Sequence, residues 1–158
     1  DGIEVSTNAK VKDCFINAMD DSFKMYFSGA TVNNCVVWQG INGAVFQYGW
    51  YNKNASGNTV SDIDVIHADW IWGKGHPKSD TKSNNNAVFG YMPGSDSEGR
   101  ISNETYRRIR VEPPVLRVFG FRVPKGQAIS GILFGDISIA GHLRDSWATL
   151  SAMSDRRP

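Results

Sequence analysis

Short runs of alternating apolar and polar residues recur along the chain in one form: an apolar residue, a Cys or Ile three positions on, and a β-branched residue two further. Val11-Lys12-Asp13-Cys14-Phe15-Ile16 and Val32-Asn33-Asn34-Cys35-Val36-Val37 fit it. So do Val60-Ser61-Asp62-Ile63-Asp64-Val65, Tyr106-Arg107-Arg108-Ile109-Arg110-Val111 and Phe134-Gly135-Asp136-Ile137-Ser138-Ile139. Alternation with a period of two marks each copy as a strand with one buried face. First positions lie 21, 28, 46 and 28 residues apart, the irregular spacing of a solenoid whose turns carry loops of different length. Between these runs sit shorter apolar pieces, Ile3-Glu4-Val5, Phe23-Lys24-Met25, Val45-Phe46-Gln47, Val88-Phe89-Gly90 and Leu116-Arg117-Val118.

Two or three short strands per unit, with no helical pattern between them, predict an all-β chain wound as a right-handed parallel β-helix. Each coil would stack on the last at about 4.8 Å. The predicted inward ladders run Cys14, Cys35, Ile63, Ile109, Ile137 and, beside them, Ile16, Val37, Val65, Val111, Ile139. A β-sandwich, whose strands also alternate, is the competing architecture. The β-helix would occupy residues 1–150, and the polar run 151–158 reads as a frayed C-terminal tail.

Composition narrows the function without naming it. A net charge of +1 gives no electrostatic case for nucleic acid or a membrane surface, and no stretch approaches the roughly 20 apolar residues of a membrane span. Arg107, Arg108 and Arg110 alternate with Tyr106 and Ile109, as on a solvated strand. His67, His76 and His142 lack metal-ligand spacing. Cys14 and Cys35 occupy equivalent places on adjacent coils, close enough for a disulfide, but the favoured reading is a free, stacked pair in the buried ladder. Asn54-Ala55-Ser56 and Asn103-Glu104-Thr105 are glycosylation sequons. The chain opens on Asp1 without an initiator Met or a signal region, so it reads as a mature or truncated piece of a longer protein.

The candidate chemistry lies in the acids. Asp20 and Asp21 are adjacent, and Asp1 precedes Asp21 by twenty residues, close to one coil. If Ile3 and Phe23 are equivalent, Asp1 and Asp21 become neighbours on adjacent coils with Asp20 beside them. Gly43, taken as equivalent one coil further on, would leave open space for a substrate chain. Clustered carboxylates repel, so at least one is expected to hold its proton above the usual carboxylate range. Paired acids are the requirement of glycosidic-bond hydrolysis, although Asp is also common in turns.

Asp1-Gly2-Ile3-Glu4-Val5 followed by Asp20-Asp21 resembles the acid motifs of the polygalacturonases. The segments Asp20-Asp21-Ser22-Phe23-Lys24-Met25-Tyr26-Phe27-Ser28, Val37-Trp38-Gln39, Phe46-Gln47-Tyr48-Gly49-Trp50 and Asp64-Val65-Ile66-His67 are similar, in that order, to glycoside hydrolase family 49, the dextranases and isopullulanases. The Gly-His-Gly and Arg-x-Lys of the pectin enzymes are missing, so family 49 is the nearer resemblance. It implies a secreted, inverting endo-hydrolase of α-1,6 bonds in dextran, acting as a monomer and without metal or organic cofactor. Asp20 would be the general acid, while Asp1 and Asp21 would hold and deprotonate the attacking water, with acid and base roughly 6.5–9.5 Å apart. The partner would be a polysaccharide. Isopullulanase-like cleavage of pullulan α-1,4 bonds, pectin hydrolysis, and a β-helix that binds polysaccharide without cutting it are the alternatives.

Lys24 has outward parity beside the acids and could donate to sugar hydroxyls or tune the carboxylates. Trp38, Tyr48, Trp50, Tyr51, Trp70 and Trp72 are more large aromatics than a narrow coil needs, and flat rings suit the apolar faces of glucose. Trp38, Tyr48, Trp50, Lys24 and His67 are therefore the candidate substrate-binding residues. The stretch from His67 to Asn86 breaks the repeat and reads as a long loop beside the cleft.

Overall fold

A computed structural model describes residues 1–50, 54–70, 86–92, 99–142 and 147–150. Most of the predicted loop from His67 to Asn86, the tail after 150, Tyr51 and Trp72 lie outside the described residues. The strands are β1 (Ile3–Glu4), β2 (Lys10–Ala18), β3 (Phe23–Lys24), β4 (Thr31–Gln39), β5 (Ala44–Tyr48), β6 (Ala55–Ser56) and β7 (Thr59–Ala68). They continue with β8 (Ala87–Tyr91), β9 (Gly99–Ser102), β10 (Thr105–Val111), β11 (Phe119–Val123), β12 (Gln127–Ser130), β13 (Leu133–Ile139) and β14 (Trp147–Leu150).

Among the described residues all pairing between strands is parallel, in three sheets: β1-β3-β5-β8-β11-β14, β2-β4-β7-β10-β13 and β6-β9-β12. Each strand therefore hydrogen-bonds to its equivalent one coil away, and the chain is a parallel β-helix. Both inward ladders lie in register as the sequence places them. Cys14 pairs with Cys35, Cys35 with Ile63, Ile63 with Ile109 and Ile109 with Ile137. Ile16, Val37, Val65, Val111 and Ile139 align in the same way. Cys14 and Cys35 stack as free thiols.

A second column of residues explains why the repeated form spaces its first two apolar positions by three rather than two. Asp13, Asn34, Asp62, Arg108 and Asp136, each one residue before the Cys/Ile ladder, all have φ between 51° and 57°. A left-handed residue consumes one position of the alternation and bends the strand without turning the ladder outward. Asn and Asp tolerate that region best, and four of the five places hold one. Arg108 is the exception, and it is held by a two-pronged contact to Asp62 of the coil below, at 2.6 and 2.8 Å. Arg110 likewise reaches Asp64 at 2.6 Å. These arginines thus face carboxylates of their own outer surface, in keeping with a solvated strand.

The shorter sheet departs from the expected register. Phe23 pairs with Phe46, not Val45, and Phe46 with Phe89. The next strand begins at Phe119, beyond the expected Leu116–Val118, and sets Phe119 beside Phe89. The cause is a continuous ring stack: centroids of Phe23–Phe46, Phe46–Phe89 and Phe89–Phe119 lie 5.6, 5.2 and 5.3 Å apart with the planes within 20°. Such contacts contribute about 0.5–1.5 kcal/mol per pair beyond area burial, enough to select one register among apolar alternatives.

Turns before β2, β4, β7, β10 and β13 place Ala9, Ala30, Asn58, Glu104 and Ile132 in one column. Asn58 Nδ2 donates to Phe27 O and to Glu104 Oε1, at 2.9 and 3.1 Å, and its Oδ1 accepts from Ala30 N at 2.8 Å. Glu104 is fully buried, with Oε2 lacking a hydrogen-bond partner among the described residues. Burial pushes its carboxyl from 4.5 to about 7. A raised carboxyl stabilises the fold while protonated; that contribution is complete below the unfolded value near 4.5 and is lost as pH rises through about 7. Urea denaturation between pH 4.5 and 8.5 should show stability falling by about 3 kcal/mol from this group. Glu104→Gln should flatten the fall, and parallel pH profiles for the two proteins would refute the assignment.

Candidate active site

The turn from β2 to β3 carries Asp20 and Asp21, and Asp1 precedes β1 in the same way. Because Ile3 pairs with Phe23, Asp1 and Asp21 each stand two residues before register partners. Gly2 N donates to Asp21 O at 2.7 Å and Ile3 N to Ser22 O at 2.9 Å, which pins the two turns together. One carboxylate oxygen from each of Asp1, Asp20 and Asp21 lies within 4.8 Å of the other two. This is shorter than the separation of roughly 6.5–9.5 Å anticipated for acid and base. Stacking sets Asp1 and Asp21 on adjacent coils one strand spacing, about 4.8 Å, apart, and Asp20 is close because it adjoins Asp21 in the chain.

Each acid is fixed by a neighbour. Asp20 Oδ1 accepts from Asp21 N at 2.8 Å, and Asp21 Oδ1 accepts from Ala44 N on the next coil, also at 2.8 Å. Lys24 Nζ sits 2.7 Å from Asp1 Oδ2. Lys24 is itself buried, so its ammonium offsets the mutual repulsion of three carboxylates where solvent screens it least. Three oxygens so close are hard ligands of the type divalent cations take, but the ammonium already brings positive charge to that place.

Asp1, Asp20, Asp21, Lys24, Tyr26, Asn42 and Trp50 line an open cleft of about 270 Å³. Trp50 keeps 43% of its surface exposed at this cleft, which gives it an apolar wall. The other aromatic candidates lie elsewhere. Tyr48 is completely buried and its hydroxyl bonds to that of Tyr106 inside the coil; it is a core residue, because its parity follows the Phe46 register. Trp38 and His67 are not among the residues lining the cleft. They stack on each other outside the coil with centroids 3.9 Å apart, and His67 Nε2 lies 3.0 Å from Asp69 Oδ1. A register shift between β4 and β7 after Val37, which leaves Ile66 as an extra residue, brings those two rings into line.

No family model matches the chain. Over 72 residues, 46% of its length, the chain is 42% identical to the dextranase of Arthrobacter sp. (strain CB-8), of which the match covers 11%. It is 38% identical over 71 residues to the dextranase of Talaromyces minioluteus, 45% of this chain and 12% of that protein. A longer match, 88% of this chain and 25% of the relative, is 26% identical to the isopullulanase of Aspergillus niger. These are the two kinds of enzyme named by the resemblance of the acid, Tyr-Gly-Trp and Asp-Val-Ile-His segments. The chain is similar to the dextranases and isopullulanases of glycoside hydrolase family 49. Its fold superposes on Dex49A from Penicillium minioluteum with a TM-score of 0.73 at 23% identity, over 94% of this chain and 26% of that one. The chain thus spans between about a tenth and a quarter of the length of these curated family 49 relatives.

Asn42, Tyr26 and the Ala44 amide are parts of this candidate site that the sequence pattern did not single out. Gly43 was singled out for the wrong reason. It has a φ of 74° and is stacked against the acids, where an added Cβ would lie 2.4 Å from Asp21 N and 2.5 Å from an oxygen of each of Asp20 and Asp21. The missing side chain makes room for the carboxylates and does not open a channel for substrate. Gly57, with a φ of 71° and nothing within 4 Å of its Cβ position, provides the control. Both Gly→Ala variants should lose about 1–2 kcal/mol from the left-handed conformation. Only Gly43→Ala should lose more and shift the carboxyl carbon resonances of Asp20 and Asp21; equal losses and unmoved resonances would disprove the packing role.

Proposed function

We propose that this chain carries the catalytic acids of a secreted endo-acting glycoside hydrolase that cleaves α-1,6 linkages of dextran with inversion. The observation that carries the reading is the cluster of Asp1, Asp20 and Asp21 with Lys24 and Trp50 around one cleft. Asp20 protonates the glycosidic oxygen, and Asp1 with Asp21 holds and deprotonates the attacking water. A water that donates to two carboxylates at ordinary hydrogen-bond lengths holds their oxygens about 4.5 Å apart, and the cluster lies within that range. Direct attack by that water leads to inversion, with no covalent sugar–enzyme intermediate. Trp50 offers its ring to the apolar face of a glucose unit, and Lys24 holds the Asp1 carboxylate in place. Dextran is favoured by the higher identity to dextranases in the segment they share with this chain.

Pullulan is the second reading, supported by the isopullulanase relative, whose match extends over 88% of the chain. Incubation with dextran, pullulan and polygalacturonate, followed by a reducing-end assay, separates these substrates. Dextran is expected to be cut, and release from none of the three would sink the hydrolase reading. Proton NMR of the first products should show the anomeric configuration inverted; retention would remove the shared-water step. Asp20→Asn should lower kcat on the order of 10²–10⁴-fold, and unchanged cleavage would show that the proton comes from another group.

A further inference from the structure

We propose that Gln39 is a positioning residue of the acid cluster, holding the Asp20 carbonyl and the Ser22 hydroxyl on either side of Asp21 so that the carboxylates meet the same cleft. The inference rests on the hydrolase reading for its catalytic consequence, and on geometry alone for the positioning. Gln39 ends β4 and is completely buried. Its Nε2 donates to Asp20 O at 3.0 Å and to Asn42 O at 2.6 Å, and its Oε1 accepts from Ser22 Oγ at 2.6 Å. One amide thus clamps the residue before Asp21, the residue after it, and the following coil at a residue that lines the cleft.

The position of Gln39 in the repeat sharpens the point. Its register partners on the adjacent coils are Ala18 and Ala68, so the column requires only a small apolar side chain. A primary amide taken from water is unfavourable unless its hydrogen bonds are replaced, and here both donors and the acceptor find partners in the acid-bearing turn or its neighbour. The folded chain therefore favours this arrangement over others that would leave the amide unpaired. The turn it braces then presents Asp21 Oδ1 to Ala44 N and packs both Asp20 and Asp21 against Gly43. Without the clamp, the Asp20 carbonyl loses its own link to the next coil, and the turn is held there by the flanking bonds of Asn42 N to Met19 O, Ser22 N to Ala44 O and Ala44 N to Asp21 Oδ1.

The test compares the full chain with Gln39→Met, which keeps side-chain length and removes the hydrogen bonds. Gln39→Glu and Ser22→Ala remove fewer of them and serve if the first variant does not fold. Carbon NMR titration of Asp20 and Asp21 carboxyls reads their surroundings whether or not any glucan is cut. On dextran, Gln39→Met should lower kcat on the order of 10²-fold with KM within about twofold, and should displace the pH–rate profile. Gln39→Glu should recover part of the lost kcat as pH falls and its carboxyl regains a donor. Titration curves and kcat unchanged in Gln39→Met, or in both other variants if it does not fold, would overturn the proposal. If the wild-type chain cuts no glucan, the hydrolase reading fails separately, and the titrations still decide whether Gln39 sets the acids.

Discussion

Backbone hydrogen bonds between in-register parallel coils hold equivalent residues about 4.8 Å apart, and the distances in the cleft descend from that spacing. Asp1 and Asp21 meet because Ile3 and Phe23 are register partners, not because long side chains reach toward each other. Aspartate is short, so its carboxylate stays close to the backbone that the ladder fixes. The same ladder makes the site a joint product of three coils: one supplies Asp1, the next Asp20, Asp21 and Lys24, and the third Asn42, Gly43 and the Ala44 amide. A register slip of one residue anywhere in this part of the stack would turn side chains to the opposite face and disperse the group.

Charge has to be managed inside such a stack, since repetition puts like residues beside like. On the outer surface of β7, β10 and β13 the column Asp62, Arg108, Asp136 alternates in sign from coil to coil. Arg108 bonds to Asp62, whose carboxyl that contact holds down at about 2, and Arg110 faces Asp64. These exposed pairs are screened and add little to stability, but they keep the outer columns from repelling. In the cleft three carboxylates do share one place, with one buried ammonium to offset them. The contrast identifies the cleft as a place where negative charge is gathered against the tendency of the scaffold.

The sequence was most legible where apolar and polar residues alternate. Both inward ladders of the longer sheet could be read because the spacing of three and then two recurs in all five copies, and polar Asp64, Arg110 and Ser138 separate the ladders in three of them where Phe15 and Val36 do not. In the shorter sheet, Val45-Phe46 and Val88-Phe89 offer two adjacent apolar residues, so binary pattern could not choose between them. The Phe stack chose, and with it Tyr48 went inward. Trp50 and Trp38 looked equivalent as exposed rings, yet they lie in different places because only the former follows the strand that leads out of the cleft. Asn42 carries no local signal at all; its role comes from the coil that places it beside Asp20.

Departures from the repeat carry more information than the repeat. In the column Glu4, Lys24, Gln47, Gly90 a buried lysine replaces side chains of other kinds, and it lies against Asp1. In the column Ala18, Gln39, Ala68 a buried amide replaces a methyl, and it bonds to the acid turn. The register shift after Val37 also falls at this edge of the stack. Glu104 shows that a polar departure need not concern the cleft, since it replaces a small or apolar residue in a different corner and leaves one oxygen without a hydrogen bond. Hydrogen-bond completeness separates the two cases. Gln39 has a partner for each donor and for its acceptor and so fixes a geometry, whereas Glu104 is half satisfied and makes the fold sensitive to pH. A solenoid can therefore be searched for function column by column, asking of each polar intruder whether its bonds converge on one site.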